Sequence, residues 1–124
     1  MRPLRTFTIE PSLPPELASL SKLAYNLWWS WRGEAREVFR RLDRDLWEST
    51  GHNPVAMLGR IDQARIKKMA ADPGFLAQLQ RAEADLDEYL TKDLWWQNRF
   101  GREDEPRVAY FCAEFGLTEC IPIY

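Results

Sequence analysis

The sequence predicts a mainly α-helical protein, with an N-terminal helical domain at residues 1–104 and the first strand of an α/β domain within residues 105–124. Two observations predict this division. Apolar residues recur at three- and four-residue steps through most of the first hundred residues, which is the spacing of a buried helix face. A polar segment, GREDEPR (101–107), then separates this region from VAYFCAEF, whose residues favour a buried strand. With 124 residues, of which 45% are hydrophobic, the chain can form a real core.

The first helix is predicted to begin at Pro14 and Pro15 and to end before Gly33. Its apolar face is formed by Leu17, Leu20, Ala24, Leu27, Trp28 and Trp31. A second, short helix follows, with Ala35, Val38, Phe39 and Leu42 on one side. Arginines interleaved with acidic residues over 32–44 indicate a solvated, salt-bridged surface, and a phosphate or other anionic site is the alternative.

Four further helices are predicted from their start signals, which are an Asp or Asn N-cap and in two cases a following proline. They begin after Asp43, at Asn53-Pro54, after Asp62 and at Asp72-Pro73. Gly51 is expected to end the first of the four. The last is the longest, and we expect it to extend to Trp95 and Trp96.

The strand is predicted at about 107–113. A single strand leaves its backbone N–H and C=O groups without partners. We therefore expect the chain to be a fragment that contains a helical module and the start of a larger α/β domain. The alternative is that this strand pairs with residues 4–9, which also have β character.

Composition argues against several classes of function. The net charge of −2 and the pI near 5.5 give no indication of a nucleic-acid surface. No apolar run is long enough to span a membrane, and the N-terminus lacks the apolar region of a secretory signal, so we expect a cytoplasmic protein. One histidine and two cysteines do not make a zinc site or a nucleophilic triad. His52, in a turn, is interpreted as a local hydrogen-bonding group.

Six tryptophans are many for this length. Their rings can stack on sugars, but large rings more often fill the spaces between helices. We expect three of them in the core, namely Trp28, Trp31 and Trp47. Trp29 and one of Trp95 and Trp96 are the better candidates for a ligand contact or a domain interface.

Two carboxylates, Glu114 and Glu119, lie in an otherwise apolar segment. A buried carboxylate must be paired, hydrogen-bonded or protonated, and such positions cluster at functional sites. Gly116 permits a sharp turn out of the predicted strand. Acidic residues at the carboxyl end of a strand indicate a ligand crevice in an open α/β sheet, and the alternative is an ion pair with a residue outside this sequence.

Three segments, LAYNLWWSW, LDRDLWESTGHNPV and VAYFCAEFGLTECIPIY, resemble the N-terminal region of bacterial and archaeal α-glucan (glycogen/maltodextrin) phosphorylases. In that family the last segment leads into a Gly-rich SGGLG loop. Here the sequence ends at Tyr124, before that loop. The resemblance covers nearly all of the chain.

The resemblance implies a retaining glycosyltransferase with a GT-B arrangement of two Rossmann-like domains. It would release α-glucose 1-phosphate from α-1,4-glucan with inorganic phosphate, using the phosphate of pyridoxal 5′-phosphate as a proton relay. Glu114 matches a glutamate beside the family's catalytic crevice, whereas the cofactor lysine lies in the far C-terminal domain. The fragment alone is therefore expected to be inactive.

The helical domain has no catalytic assignment that the resemblance carries over. Its expected roles are packing against the catalytic domains, contacts within a homo-oligomer, or control of glucan access. A glucan-binding module is the alternative, with Trp29, Trp95 and Trp96 as substrate-binding residues.

Overall fold

The computed structural model describes residues 11–101, Cys112 and Thr118, and the described part is helical. Its elements are a 3₁₀ turn at Pro15–Leu17, α1 at Ser19–Ala24, a second 3₁₀ segment at Leu27–Trp31, α2 at Gly33–Leu42, α3 at Arg44–Ser49, α4 at Pro54–Leu58, α5 at Gln63–Ala70, α6 at Pro73–Thr91 and α7 at Trp95–Phe100. No strand occurs among the described residues. The mainly helical class is thus confirmed for this part. The predicted strand lies outside it except for Cys112, which belongs to no helix or strand.

The four helix starts that were predicted from Asp and Asn are confirmed. Each N-cap side chain accepts a hydrogen bond of 2.8–3.0 Å from a backbone N–H of the first turn: Asp43 from Leu46, Asn53 from Ala56, Asp62 from Ala64 and Asp72 from Phe75. Such bonds satisfy N–H groups that have no partner within the helix. Pro54 and Pro73 follow two of these caps at the first helical position.

The first predicted helix is in fact interrupted. α1 ends at Ala24, and Asn26 then caps the second 3₁₀ segment by accepting a hydrogen bond of 3.0 Å from the Trp28 N–H. Asn26 is extended, with φ of −112° and ψ of 112°, so the 3₁₀ segment does not continue the apolar face of α1. Trp28 and Trp29 are both 2% exposed, whereas Trp31, the last residue of the segment, is 56% exposed, which makes the expected core position of Trp31 wrong.

α6 is shorter than predicted. It ends at Thr91, whose hydroxyl donates to the Asp87 carbonyl at 2.7 Å. Lys92 is extended, with ψ of 132°, and this conformation separates α6 from α7. The expected continuation to Trp95 and Trp96 is therefore wrong.

α6 is the longest helix of the described part and organises its core. It contacts the first 3₁₀ turn, α1, α2 and α5. Its inner face buries Phe75, Leu79, Ala82 and Leu86, which are spaced by three and four residues. All buried core residues among those described are apolar, which favours hydrophobic burial as the main source of stability. None of the helices in this part is both long and apolar enough to cross a bilayer.

Ion pairs connect α6 and its N-cap to the elements packed around them. Lys22 contacts Asp87 at 2.5 Å, Arg32 contacts Asp85 at 3.0 Å, and Arg41 contacts Asp72 at 3.0 Å. These side chains are well exposed, so each pair contributes less than about 1 kcal/mol. The salt-bridged character that was predicted for the arginine-rich segment is confirmed.

The C-terminal end of α2 is held by an arginine of α5. The Arg65 guanidinium donates to the Leu42 carbonyl at 2.6 Å and to the Arg41 carbonyl at 3.0 Å. The last carbonyls of a helix have no partner within it, and a cation also interacts favourably with that end of the helix dipole. Arg65 therefore fixes α2 against α5.

Candidate functional site

An aromatic cluster fills the space between the second 3₁₀ segment, α2 and α3. Trp29 packs edge-on against Trp47 at 5.7 Å and against Phe39 at 6.2 Å, and Phe39 stacks on Trp47 at 5.8 Å. Trp29 is buried, so a sugar ring cannot stack on it in this fold, and its predicted surface role is wrong. Its Nε1 is also buried and has no hydrogen-bond partner among the described residues. The predicted core positions of Trp28 and Trp47 are confirmed.

A second aromatic cluster lies at the surface. Leu94, Trp95, Trp96 and Phe100 form what we call the α7 surface, with Trp95 71% and Trp96 41% exposed. The centroid distances to the Phe100 ring are 5.9 Å from Trp95 and 4.5 Å from Trp96. No residue of α7 is buried. Trp95 and Trp96 were predicted from the sequence as candidates for a ligand contact or a domain interface. Leu94 and Phe100 were not predicted, although the apolar spacing of LWWQNRF indicates them.

The polar side chains of α7 bond to the backbone of the same short segment. The Gln97 Oε1 accepts a hydrogen bond of 3.1 Å from the Leu94 N–H. The Asn98 Nδ2 donates to the Asp93 carbonyl at 3.2 Å. The Arg99 guanidinium lies 5.9 Å from the Phe100 ring centroid. The α7 surface is thus predominantly apolar, and its nearest polar groups stabilise the helix itself.

A groove of about 340 Å³ lies between α2 and the α3–α4 turn. It is lined by Gly33, Arg36, Glu37, Arg40, Trp47, Glu48 and His52. Arg40 is paired with Glu37 at 3.2 Å, and the His52 Nε2 lies 2.9 Å from the Glu48 carboxylate. The groove lining contains two arginines and two glutamates, so it does not concentrate positive charge. The interpretation of His52 as a local hydrogen-bonding group is confirmed.

Among the described residues, Asp72 and Lys22 have a clear change in pKa, and both form contacts that hold the helices. The hydrogen bond from the Phe75 N–H holds the pKa of the Asp72 carboxyl below its ordinary value, and the Arg41 guanidinium contributes a smaller effect in the same direction. The hydrogen bond to Asp87 raises the pKa of Lys22. Within the described ranges, no three His, Cys, Asp or Glu side chains lie close enough to hold a metal ion. Glu114 lies outside the described residues.

The sequence matches a known protein family over most of its length. The model described as "Protein of unknown function (DUF3417)" matches residues 13–121, which is most of the chain. The chain belongs to the DUF3417 family.

The curated relatives of this DUF3417 chain are much longer proteins. It is 41% identical over 129 residues to glycogen phosphorylase of Mycobacterium tuberculosis strain H37Rv, an alignment that covers 100% of the chain and 15% of the relative. It is 31% identical over 117 residues to maltodextrin phosphorylase of Thermococcus litoralis, with 94% and 14% covered. For glycogen phosphorylase of Aquifex aeolicus the identity is 27% over 105 residues, with 85% and 14% covered. The DUF3417 chain thus spans about 15% of the length of its relatives. No solved structure matches it significantly.

Proposed function

We propose that this chain is the N-terminal region of a cytoplasmic α-1,4-glucan phosphorylase, which releases α-glucose 1-phosphate from glucan ends with inorganic phosphate. The observation that supports this most is the 41% identity along the entire chain to a protein named glycogen phosphorylase. The relatives in Thermococcus and Aquifex carry phosphorylase names as well. The substrates follow from the activity and are part of the same proposal.

The helical domain takes a supporting role in this proposal. A pyridoxal 5′-phosphate site needs a lysine for the Schiff base, held in a protected pocket. All four lysines of the sequence, Lys22, Lys67, Lys68 and Lys92, are exposed, so the described residues do not fit the cofactor. The cofactor and its lysine therefore belong, in this proposal, to the part of the protein beyond this sequence.

Glu114 is the residue of this chain that we propose for the catalytic crevice, by its match to the family glutamate. The test is made on the full-length protein, assayed for glucose 1-phosphate release from maltodextrin and phosphate, with cofactor absorbance followed in parallel. We expect phosphorolysis by the wild type and its loss in Glu114→Gln. The matched control is Glu105→Gln, which makes the same change of charge in the polar linker.

The possible results separate the two parts of the proposal. A full-length protein that binds no pyridoxal phosphate and releases no glucose 1-phosphate would refute the function. An active protein in which Glu114→Gln retains full activity would refute only the role of Glu114.

The second candidate function is a glucan-binding module, and the exposure of Trp95 and Trp96 favours it. It predicts that maltooligosaccharides change the tryptophan fluorescence of the protein. It also predicts that the Trp95→Ala/Trp96→Ala double variant loses this change, while Trp31→Ala, at another exposed tryptophan, retains it. Fluorescence that stays constant at millimolar oligosaccharide would contradict it.

A further inference from the structure

The α7 surface presents three aromatic rings and a leucine side chain to solvent at the end of the helical domain. Tyr89 and Leu90, near the end of α6, are also half exposed. Exposed apolar patches of this kind mark interaction sites more often than isolated exposed side chains do. A partner that covers this patch would gain the burial of large aromatic rings.

The composition of the surface favours a protein partner over a sugar. Sugar hydroxyls need hydrogen-bonding groups beside the stacking ring, whereas the rings here contact one another and Leu94 lies beside them. Gln97 and Asn98 each bond to the backbone of the same segment. An apolar patch with polar groups at its margin has the character of the centre of a protein interface.

The length of the linker identifies the partner. The segment 101–107 has seven residues and can extend to roughly 25 Å at most. The predicted strand at 107–113 therefore begins within that distance of Phe100, whatever the linker conformation. A tether of this length gives an effective concentration in the millimolar range, which favours a linked domain over a separate molecule for the same apolar surface.

The stability of α7 points in the same direction. α7 has six residues, and an isolated helix of that length is marginal in water. Its rings contact each other and contribute no buried residue to the helical core. Packing of α7 against another surface supplies the apolar burial that the helical core does not give it.

We propose that the α7 surface is an interdomain interface, covered by the α/β domain that residues 105–124 are predicted to begin. This inference rests on the proposed function, because the greater length of the phosphorylase relatives supplies that domain. Trp95 and Trp96 are then the central contacts, with Leu94 and Phe100 beside them.

The test is hydroxyl-radical footprinting of the full-length protein, with Trp31 as an internal control. In the helical domain Trp95 is more exposed than Trp31 (71% against 56%), so an uncovered α7 surface gives more oxidation at Trp95. If the α7 surface is covered, Trp95 is oxidised less than Trp31. We expect oxidation of Trp95 at least about fivefold below that of Trp31, because side chains at the centre of an interface lose most of their accessible surface.

A variant tests the contact itself. Trp95→Glu introduces a charge into the apolar patch, and we expect it to raise the oxidation of Trp96 and to speed tryptic cleavage at Arg102. Trp31→Glu introduces the same charge at another exposed tryptophan, and we expect it to leave the oxidation of Trp96 and the cleavage at Arg102 unchanged. Unaltered circular dichroism shows that the helical core is still folded, since no residue of α7 is buried in it.

Each contrary result overturns the inference. Oxidation of Trp95 equal to or above that of Trp31 shows that nothing covers the surface. Protection that disappears on dilution identifies a second copy of the chain, and protection that appears only with maltooligosaccharide identifies a glucan site. Phosphorolysis is assayed on the same preparation, so an active enzyme with an exposed Trp95 refutes the interface alone, and an inactive protein with a protected Trp95 refutes the proposed function alone.

Discussion

Replacing Trp29 by phenylalanine should cost little stability, although the side chain is fully enclosed. The substitution removes two carbons and the ring nitrogen of the indole, and at about 0.8 kcal/mol per buried carbon the loss of the two carbons costs about 2 kcal/mol. It also removes the buried Nε1–H group, which has no hydrogen-bond partner among the described residues. Removing a buried donor that has no partner increases the free energy of unfolding by about 1–3 kcal/mol. The two effects nearly cancel, and we expect a net change in the free energy of unfolding within about 1 kcal/mol.

Trp47→Phe is the matched control for this prediction. Trp47 belongs to the same aromatic cluster and is 4% exposed, but its indole nitrogen is not among the buried unpaired atoms of the described residues. Its replacement should therefore cost the full value of about 2 kcal/mol. Trp29→Ala, which empties the site, should cost about 3–5 kcal/mol.

The measurement is urea unfolding followed by far-UV circular dichroism, with equal slopes required before the midpoints are compared. Equal destabilisation by Trp29→Phe and Trp47→Phe would refute the reasoning. It would show that the Trp29 N–H has a partner in solution, and that the packing around it differs from that described above.

Three further predictions use the same unfolding assay. Gly51 has φ of +61°, so Gly51→Ala should cost about 1 kcal/mol, whereas Gly33→Ala, with open space around it at the start of α2, should be neutral or slightly stabilising; equal effects would contradict this. Arg65→Gln should cost about 1–2 kcal/mol, because it removes charge-assisted bonds to the end of α2; no change would show that water replaces them. The lowered pKa of Asp72 gives stability that is complete above the unfolded-state pKa and is lost as the pH falls through the lower folded-state pKa. Asp72→Asn can still cap α6, and it should flatten the acid loss of stability below about pH 4, measured against the wild type; an unchanged profile would contradict the assignment.

The helix starts were predictable because they are encoded locally. Asp43, Asn53, Asp62 and Asp72 each bond to an N–H group within three residues, so a short sequence window contains the whole interaction. The interruption at Asn26 was missed because the apolar spacing continues past it. The extended residues Asn26 and Arg32 isolate the 3₁₀ segment from α1 and α2, and the spacing of apolar residues alone does not show that Trp31 lies at its exposed end.

The candidate site was less predictable than the fold. Exposure of Trp95 and Trp96 depends on where α6 ends, and no proline or glycine marks Thr91 in the sequence. Burial of Trp29 depends on Phe39 and Trp47, which come from two other elements. Such contacts between distant residues are set by tertiary packing, which local propensity does not encode.

The central position of α6 has a consequence for synthesis of the protein on the ribosome. The helices from α1 to α5 emerge first, but the faces of α1, α2 and α5 that contact α6 stay uncovered until residues 73–91 have emerged. Short helices are marginal before they are packed, so a stable helical domain forms late in its own translation. Slow codons placed after the α6 coding region would lengthen the time available for this step, whereas a pause before it would prolong the exposure of an unfinished core.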